Sequence, residues 1–267
     1  DRQVGGPRPE TTAATIEALP SMTATLEAMA EEMQAAGTET LVVDLRANTG
    51  GDSQFVFYLA ALLGGLDAIN RSIEGLEVVR RRTDAYRERY GDTGPGRARD
   101  NPADYDFTQA FAASTVETGL PPLVEGLLSR SDTGMAFIDG CPDGGRYRPE
   151  TIVVAVSAGT MSSAFGAAAQ LARLGAEIVG VPPGQGPISF GEHVEQALPN
   201  TGLDVRLAAT LFQWVSEPDG PVLEPDVPLG VDEFEAFDCA ADAGLRLALE
   251  HAGHGREPPT PGTGTME

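Results

Sequence analysis

Two short β-branched apolar runs, each breaking into a glycine-containing turn and then an apolar helix, set the architecture of this chain. The first is Leu41-Val42-Val43-Asp44-Leu45. It is followed by Arg46-Ala47-Asn48-Thr49-Gly50-Gly51-Asp52 and an apolar helix from Ser53 to Leu63, closed by Gly64-Gly65. The second runs from Thr151 to Val156 (TIVVAV). It is followed by Ser157-Ala158-Gly159-Thr160-Met161-Ser162-Ser163 and the small-residue helix AFGAAAQLARLG. Continuous apolar runs of this length suit strands buried on both faces, as in a parallel sheet. Strand, turn and helix in succession is the βα unit of an α/β protein. A third strand is expected from Glu177 to Val181, leading to a Pro/Gly loop from Pro182 to Pro187.

The remaining segments arrange themselves around those units. Residues 1–10 are polar and rich in Gly and Pro, and read as a flexible arm. A helix is expected from Thr11 to Ala36, with Leu26, Met29 and Met33 on one face and Gly37 at its stop. The methionines read as core filling. The stretch 71–149 reads as an irregular insertion or lid. It contains Arg80-Arg81-Arg82, Arg87-Glu88-Arg89, Tyr86, Tyr90 and Tyr105, and a surface loop over 91–104. The arginine run reads as a solvated face or as a partner for nearby acids. Residues 189–215 alternate like a β-meander turning at Pro199-Asn200-Thr201-Gly202. A loop from Glu217 to Asp226, a helix from Asp238 to His251 and a disordered tail over 253–267 complete the chain. The expected organisation is a single domain over 11–252 with loose ends.

Charge narrows the partners. Among 267 residues, 40 acids oppose 18 bases, a net charge of −22, and every base is an arginine because the chain has no lysine. Such a surface repels nucleic acid and anionic membranes, so neither is an expected partner. A solubility adaptation or GC-rich coding accounts for the balance. The longest mostly apolar stretch, Phe55 to Leu63, is too short to insert across a bilayer. The two cysteines, Cys141 and Cys239, form no CxxC or His/Cys cluster with metal spacing. They could pair in an exported protein or stand as two thiols. The first residue is Asp and no hydrophobic signal segment follows, from which we expect a chain excised from a longer precursor.

Chemistry is expected at the two turns, because ligands of open α/β sheets collect at the carboxyl ends of the strands. The turn Asn48-Thr49-Gly50-Gly51 offers backbone amides that can cradle an anion or a developing oxyanion. The turn Gly159 to Ser163 places hydroxyls at a helix N-terminus. A serine there is an ordinary N-cap, or a nucleophile favoured by the helix dipole. The local pattern leaves both open. Neither a P-loop nor a GxSxG motif is present.

Longer segments carry a resemblance. LVVDLRANTGGD resembles the "hydrophobic strand, DLR-x-N-x-GG" segment of the S41 peptidases. That family contains the carboxy-terminal processing (tail-specific) proteases, the tricorn core protease and the interphotoreceptor retinoid-binding repeats. SAGTMSSAFGAAAQLARLGAEIVGVPPGQG resembles its nucleophile segment. LPNTGLDVRLAATLFQW and GPVLEPDVPL resemble its later strands and its "L-x-P-D" segment. The four stand in the family's order from about residue 39 to 250.

The resemblance implies a ClpP/crotonase-like ββα superhelix and a serine-type peptidase acting on a peptide or protein substrate. It implies no metal and no organic cofactor. By position, Ser162 is the nucleophile, the amides of Gly50, Gly51 and Ser163 form the oxyanion hole, and Gly159 lets the turn approach closely. The processing proteases use a Ser–Lys dyad whose lysine lies in a Gly-Lys-Gly turn. Here that turn reads Gly184-Gln185-Gly186, and Gln has no titratable proton acceptor at neutral pH.

The tricorn-like branch takes a histidine from a segment upstream of the DLR strand, which this chain starts too late to contain. A segment of the same precursor is therefore an expected partner. The internal candidate for the base is His193, with Glu192 beside it, although adjacent residues of a regular strand point to opposite faces. His251 and His254 read as solvated. The expected protein is secreted or of the cell envelope. The alternative is an inactive relative that binds peptide or small apolar ligands in the former cleft. An acyl-CoA enzyme ranks last, since a lysine-free acidic chain is a poor host for an adenine diphosphate.

Overall fold

The two β-branched runs pair with each other. In a computed structural model that describes residues 19–80, 84–90, 124, 132–214 and 223–253, Thr40 lies opposite Thr151 and Asp44 opposite Ala155 in parallel register. The arm over 1–10, the start of the first expected helix, Arg81, Arg82, the loop over 91–104, Tyr105, His254 and the tail lie outside the described residues. In chain order the elements are Met22–Ala35 (α1), Thr40–Asp44 (β1), Gln54–Ser72 (α2), Leu76–Arg80 (β2), Asp84–Tyr90 (α3), Asp132–Asp139 (α4) and Thr151–Val156 (β3). Ser163–Arg173 (α5), Glu177–Gly180 (β4), Ile188–Ala197 (β5), Asp204–Trp214 (β6), Val227–Pro228 (β7), Val231–Ala236 (α6) and Ala243–Gly253 (α7) follow.

A parallel sheet in the order β1-β3-β4-β7 forms the centre. Its strands are apolar on both faces because both faces are covered. Val154 and Val156 pack into a cluster with Leu26, Phe57, Leu62 and Leu171 from α1, α2 and α5. Val153 and Ala155 pack against Ala248 of α7 on the other side. Phe57, Leu62 and Ile69 of α2 are buried, each contributing about 2 kcal/mol of apolar transfer. The chain is thus a mixed α/β domain with the turns after β1 and β3 side by side at one edge of the layer.

The second sheet is antiparallel, in the order β2-β6-β5. The strands β5 and β6 form the expected hairpin, closed where Gly202 N–H donates to Leu198 O and Leu198 N–H to Leu203 O, both 2.8 Å. Trp214, at the end of β6, packs on Phe165 and Ala169 of α5 and so joins the two sheets. The Arg173 guanidinium lies 4.6 Å from the centre of its ring. Within 71–149, Leu76–Arg80 proves to be a strand, with Leu76 opposite Trp214.

Three expected boundaries move. The helix α1 starts at Met22, because Pro20 disfavours helical geometry in the residue before it and Ser21 caps the start in extended conformation; the expected stretch before Leu19 lies outside the described residues. The helix α2 does not stop at Gly64-Gly65. These two residues leave helical geometry, with Gly65 at φ 65°, and the helix resumes to Ser72. The Leu62 carbonyl freed by the kink accepts the N–H groups of Arg146 (2.7 Å) and Tyr147 (3.1 Å). The helix expected from Asp238 begins only at Ala243. Asp238 and Cys239 both adopt positive φ after α6, and the Cys239 N–H returns to Phe234 O at 3.0 Å.

Cys141 and Cys239 are free thiols, and burial pushes the Cys141 thiol up from its ordinary value. No described helix is long and apolar enough to cross a membrane.

Candidate active site

The two turns are sewn together before any reactive group is placed. Thr160 is fully buried. Its hydroxyl donates to Leu45 O at 2.8 Å and accepts the Ser157 N–H at 3.0 Å. The Ser157 hydroxyl donates to Arg46 O, and Met161 N–H donates to Asn48 O at 3.1 Å. Gly159 is required by proximity, since a Cβ there would lie 2.9 Å from Arg46 O. Arg46 itself folds back on Asp44 through two bonds of 2.8 Å, which holds the Asp44 carboxyl below its usual value.

Ser162 stands where these contacts end, at the N-cap position of α5. Its backbone has φ 54° and ψ −126°, and its side chain makes no capping hydrogen bond. An ordinary N-cap serine has extended backbone and accepts a bond from the first turn. Ser162 does neither. Left-handed backbone at a non-glycine residue costs on the order of 1–3 kcal/mol and collects at functional sites. A serine held in a sharp, strained turn between a strand and a helix has its Oγ exposed for chemistry. Ser162 is exposed, and its Oγ has no hydrogen-bond partner among the described residues. Its N–H donates to Gln185 Oε1 at 2.7 Å.

The glycine turn faces this serine. Gly50 has φ 104°, and a Cβ on it would lie 2.6 Å from Ser162 Cβ and 3.0 Å from the Ser163 nitrogen. The Gly50 N–H is taken by Asn48 Oδ1 at 2.9 Å. The N–H groups of Gly51 and Ser163 have no partner among the described residues. The Ser163 hydroxyl donates to Gly51 O at 2.9 Å and bonds Ser53 Oγ at 2.8 Å. Beneath the turn, Asp52 accepts the Gln54 side-chain amide at 2.7 Å, and Gln54 Oε1 accepts the hydroxyl of fully buried Tyr58 at 2.8 Å. A cavity of about 200 Å³ borders Gly50, Gly51 and Ser163, with apolar walls from Met22, Leu45, Phe55, Leu59, Ala167 and Leu171.

Of the residues expected from the sequence, Gly50, Gly51, Ser162 and Ser163 come together. His193 belongs to the β5–β6 hairpin. It lies exposed on β5, opposite Ala208, in the other sheet, and makes no hydrogen bond to Ser162. Its neighbour Glu192 has φ 49°, and its carboxylate accepts the hydroxyls of Tyr86 and Thr210. His251 is paired with Glu177, away from both turns. Among the described residues no group of three or more His, Cys, Asp or Glu is placed to hold a metal ion.

The sequence profile of peptidase family S41 matches residues 15–229, a span that takes in both turns, Ser162 and Gln185. The chain belongs to peptidase family S41. No curated protein matches this S41 chain. Among solved structures it is similar to the photosystem II D1 C-terminal processing protease, at 17% identity and a TM-score of 0.41, over 87% of this chain and 43% of that one. It is also similar to a Bacteroides fragilis NCTC 9343 protein described as an S41 protease, at 15% identity and a TM-score of 0.43, over 93% of this chain and 51% of that one. The chain therefore spans about half or less of the length of these two relatives.

Within the S41 chain, three features of the site have little or no signature in the sequence. They are the strained backbone of Ser162, the Gln185 contact to its amide, and the Tyr58–Gln54–Asp52 support. The first had a weak signal in the Gly-Thr-Met-Ser-Ser turn. The other two are tertiary contacts with no local signature.

Proposed function

We propose that this S41 protein is a serine-type peptidase whose nucleophile is Ser162. The observation that carries the reading is the strained, non-capping Ser162 at the head of α5, with its Oγ free. In this reading Ser162 Oγ attacks the carbonyl carbon of a peptide bond and loses its proton to a base. The C–N bond breaks, the amine leaves with a proton, and water hydrolyses the resulting ester. The N–H groups of Gly51 and Ser163 hold the oxyanion, each donor being worth about 3 kcal/mol in such sites. Gly50 shapes the turn. The apolar cavity beneath it takes the side chain on the acyl side, so the substrate is a peptide with an apolar residue there. The parallel sheet with helices on both faces supports reading the domain as a ClpP/crotonase-like superhelix.

The reading requires a base, and no described residue is hydrogen-bonded to Ser162 Oγ. His193 would have to reach it from the other sheet. The other source in this reading is a histidine from another polypeptide segment. Loss of a triad member costs on the order of 10⁴-fold, and the sequence resemblance sets Gln185 against the lysine of the processing proteases. That observation favours a second reading, an inactive relative that binds apolar peptides in the same cleft.

Labelling with a fluorophosphonate probe, mapped by mass spectrometry, separates the two. Attachment at Ser162 that Ser162→Ala abolishes supports the peptidase. A folded protein that takes no label, yet binds apolar peptides, supports the binder.

A further inference from the structure

Residue 185 cannot serve as a base in this chain, yet its side chain reaches the reactive serine. The backbone explains what it does there. Ser162 sits at the start of α5, where no intrahelical acceptor exists for its N–H. Met161 N–H is already bonded to Asn48 O, and Met161 O accepts the Ala164 N–H at 3.0 Å. The Ser162 N–H therefore depends on another segment, and Gln185 Oε1 meets it at 2.7 Å. The loop that carries Gln185 is anchored at both sides. Gly184 N–H donates to Ala158 O at 3.2 Å, and a Cβ at Gly184 would lie 2.5 Å from that oxygen. On the other side Pro187 O accepts the Trp214 N–H at 3.0 Å. The side-chain oxygen is thus delivered from a fixed backbone to the one residue of the turn with strained φ.

We propose that Gln185 is a positioning residue, whose side-chain oxygen holds the Ser162 peptide in its left-handed conformation and so aims Oγ out of the turn. The requirement is for an acceptor at position 185. Asparagine is too short by one methylene, and lysine carries only donors. This inference rests on Ser162 as the reactive residue, but the clamp can be read without any reactivity.

The test uses the full chain and two variants of nearly equal size. Gln185→Met keeps the shape and removes the oxygen, and Gln185→Glu keeps an acceptor. Hydrogen exchange of the Ser162 amide is measured by NMR beside the rate of fluorophosphonate labelling. We expect protection of that amide to fall by about tenfold or more in Gln185→Met and to persist in Gln185→Glu. In Gln185→Glu it should also vary as the new carboxyl titrates, because an ionised acceptor binds more strongly. The labelling rate should fall by on the order of 10–100-fold in Gln185→Met, as for a small misplacement of a reacting group. Unchanged exchange in Gln185→Met overturns the proposal, as does equal loss in both variants. Absence of labelling in the unaltered protein would sink the peptidase reading alone, and the exchange data would still decide the clamp. If Gln185→Met fails to fold, the titration of the Ser162 amide in Gln185→Glu decides it, and no dependence on that carboxyl overturns it.

Discussion

Gly50 and Ser162 leave each other no spare room: a Cβ at position 50 would lie 2.6 Å from the Cβ of the serine. Each of these residues has a positive φ, and each turn is the wall against which the other is shaped. The close approach brings the free N–H of Ser163 next to the glycine turn. Nothing larger than glycine fits without moving one turn away from the other.

Gly50→Ala should therefore damage the site more than the fold. The left-handed backbone alone costs on the order of 2 kcal/mol for a residue with a Cβ, about 4–8 °C in Tm for a domain of this size. Displacing Ser162 by about 1 Å should slow fluorophosphonate labelling by about 100-fold. Thermal unfolding and labelling kinetics on the same preparation check this. A labelling rate within threefold of the unaltered protein would mean that the two turns are not coupled.

Ser162→Gly and Ser162→Ala should both lose the label, but they should differ in stability. Glycine relieves strain of about 1–3 kcal/mol and gives up about 0.4–1 kcal/mol in unfolded-state entropy. Alanine keeps the strain. Ser162→Gly should thus be the more stable of the two by about 1 kcal/mol in urea unfolding. The reverse order would show that the turn is not strained.

The strands β1 and β3, their glycine turns and the place of Ser162 were legible because each rests on a local pattern, a β-branched run ending in small residues. The α2 kink reads in sequence as a stop, because the groups that satisfy Leu62 O lie at Arg146 and Tyr147, far along the chain. The strand β2 was not legible, since Leu76–Arg80 has no alternation of its own and pairs with residues 210–214. His193 stands out by residue type and by its place about thirty residues after Ser162, and strand pairing, which neither encodes, puts it in the other sheet. The glycine turn was expected to offer the Gly50 amide, but Asn48, two residues away, takes that N–H through its side chain.

The hydroxyl relay from Ser53 through Ser163 to Gly51 O fixes the peptide that follows the free Gly51 N–H. Ser163→Ala removes both bonds and should cost about 1 kcal/mol of stability. It should also slow labelling by about tenfold through a looser oxyanion donor, a fraction of the loss from removing such a donor outright. Ser53→Ala leaves the bond to Gly51 and should have a smaller effect. Equal labelling rates in all three proteins would exclude a positioning role for the relay.

Asp44 makes stability depend on pH in the acid range. Its folded pKa is depressed, first by the hydrogen bonds from the Arg46 side chain. The stabilisation is therefore complete above the unfolded carboxylate value of about 3.9 and is lost as pH falls through the lower folded value. The Asp44 side chain is 41% exposed, so solvent screening keeps the contribution below about 1 kcal/mol. Asp44→Asn should be destabilised by that amount at pH 7, and the gap should close in strong acid, once pH lies below the lowered folded value. Urea unfolding of both proteins at pH 7 and in strong acid tests it, and a gap that widens in acid would reverse the sign.

The apolar cavity beside Ser163 gives the last prediction a direction. Ala167 lies on α5 and lines that space, while the amides of Gly51 and Ser163 lie at its border. A ring introduced by Ala167→Phe would fill much of the roughly 200 Å³ and leave the turns untouched. Cleavage after large apolar residues should then fall by about 10–100-fold, the range for losing one or two buried carbon contacts in a pocket. Cleavage after alanine or glycine should change little. A peptide library read by mass spectrometry gives the profile, and thermal unfolding confirms that the variant is folded. A uniform loss across all residues would point to distortion of the turns, and an unchanged profile would place the acyl-side residue elsewhere.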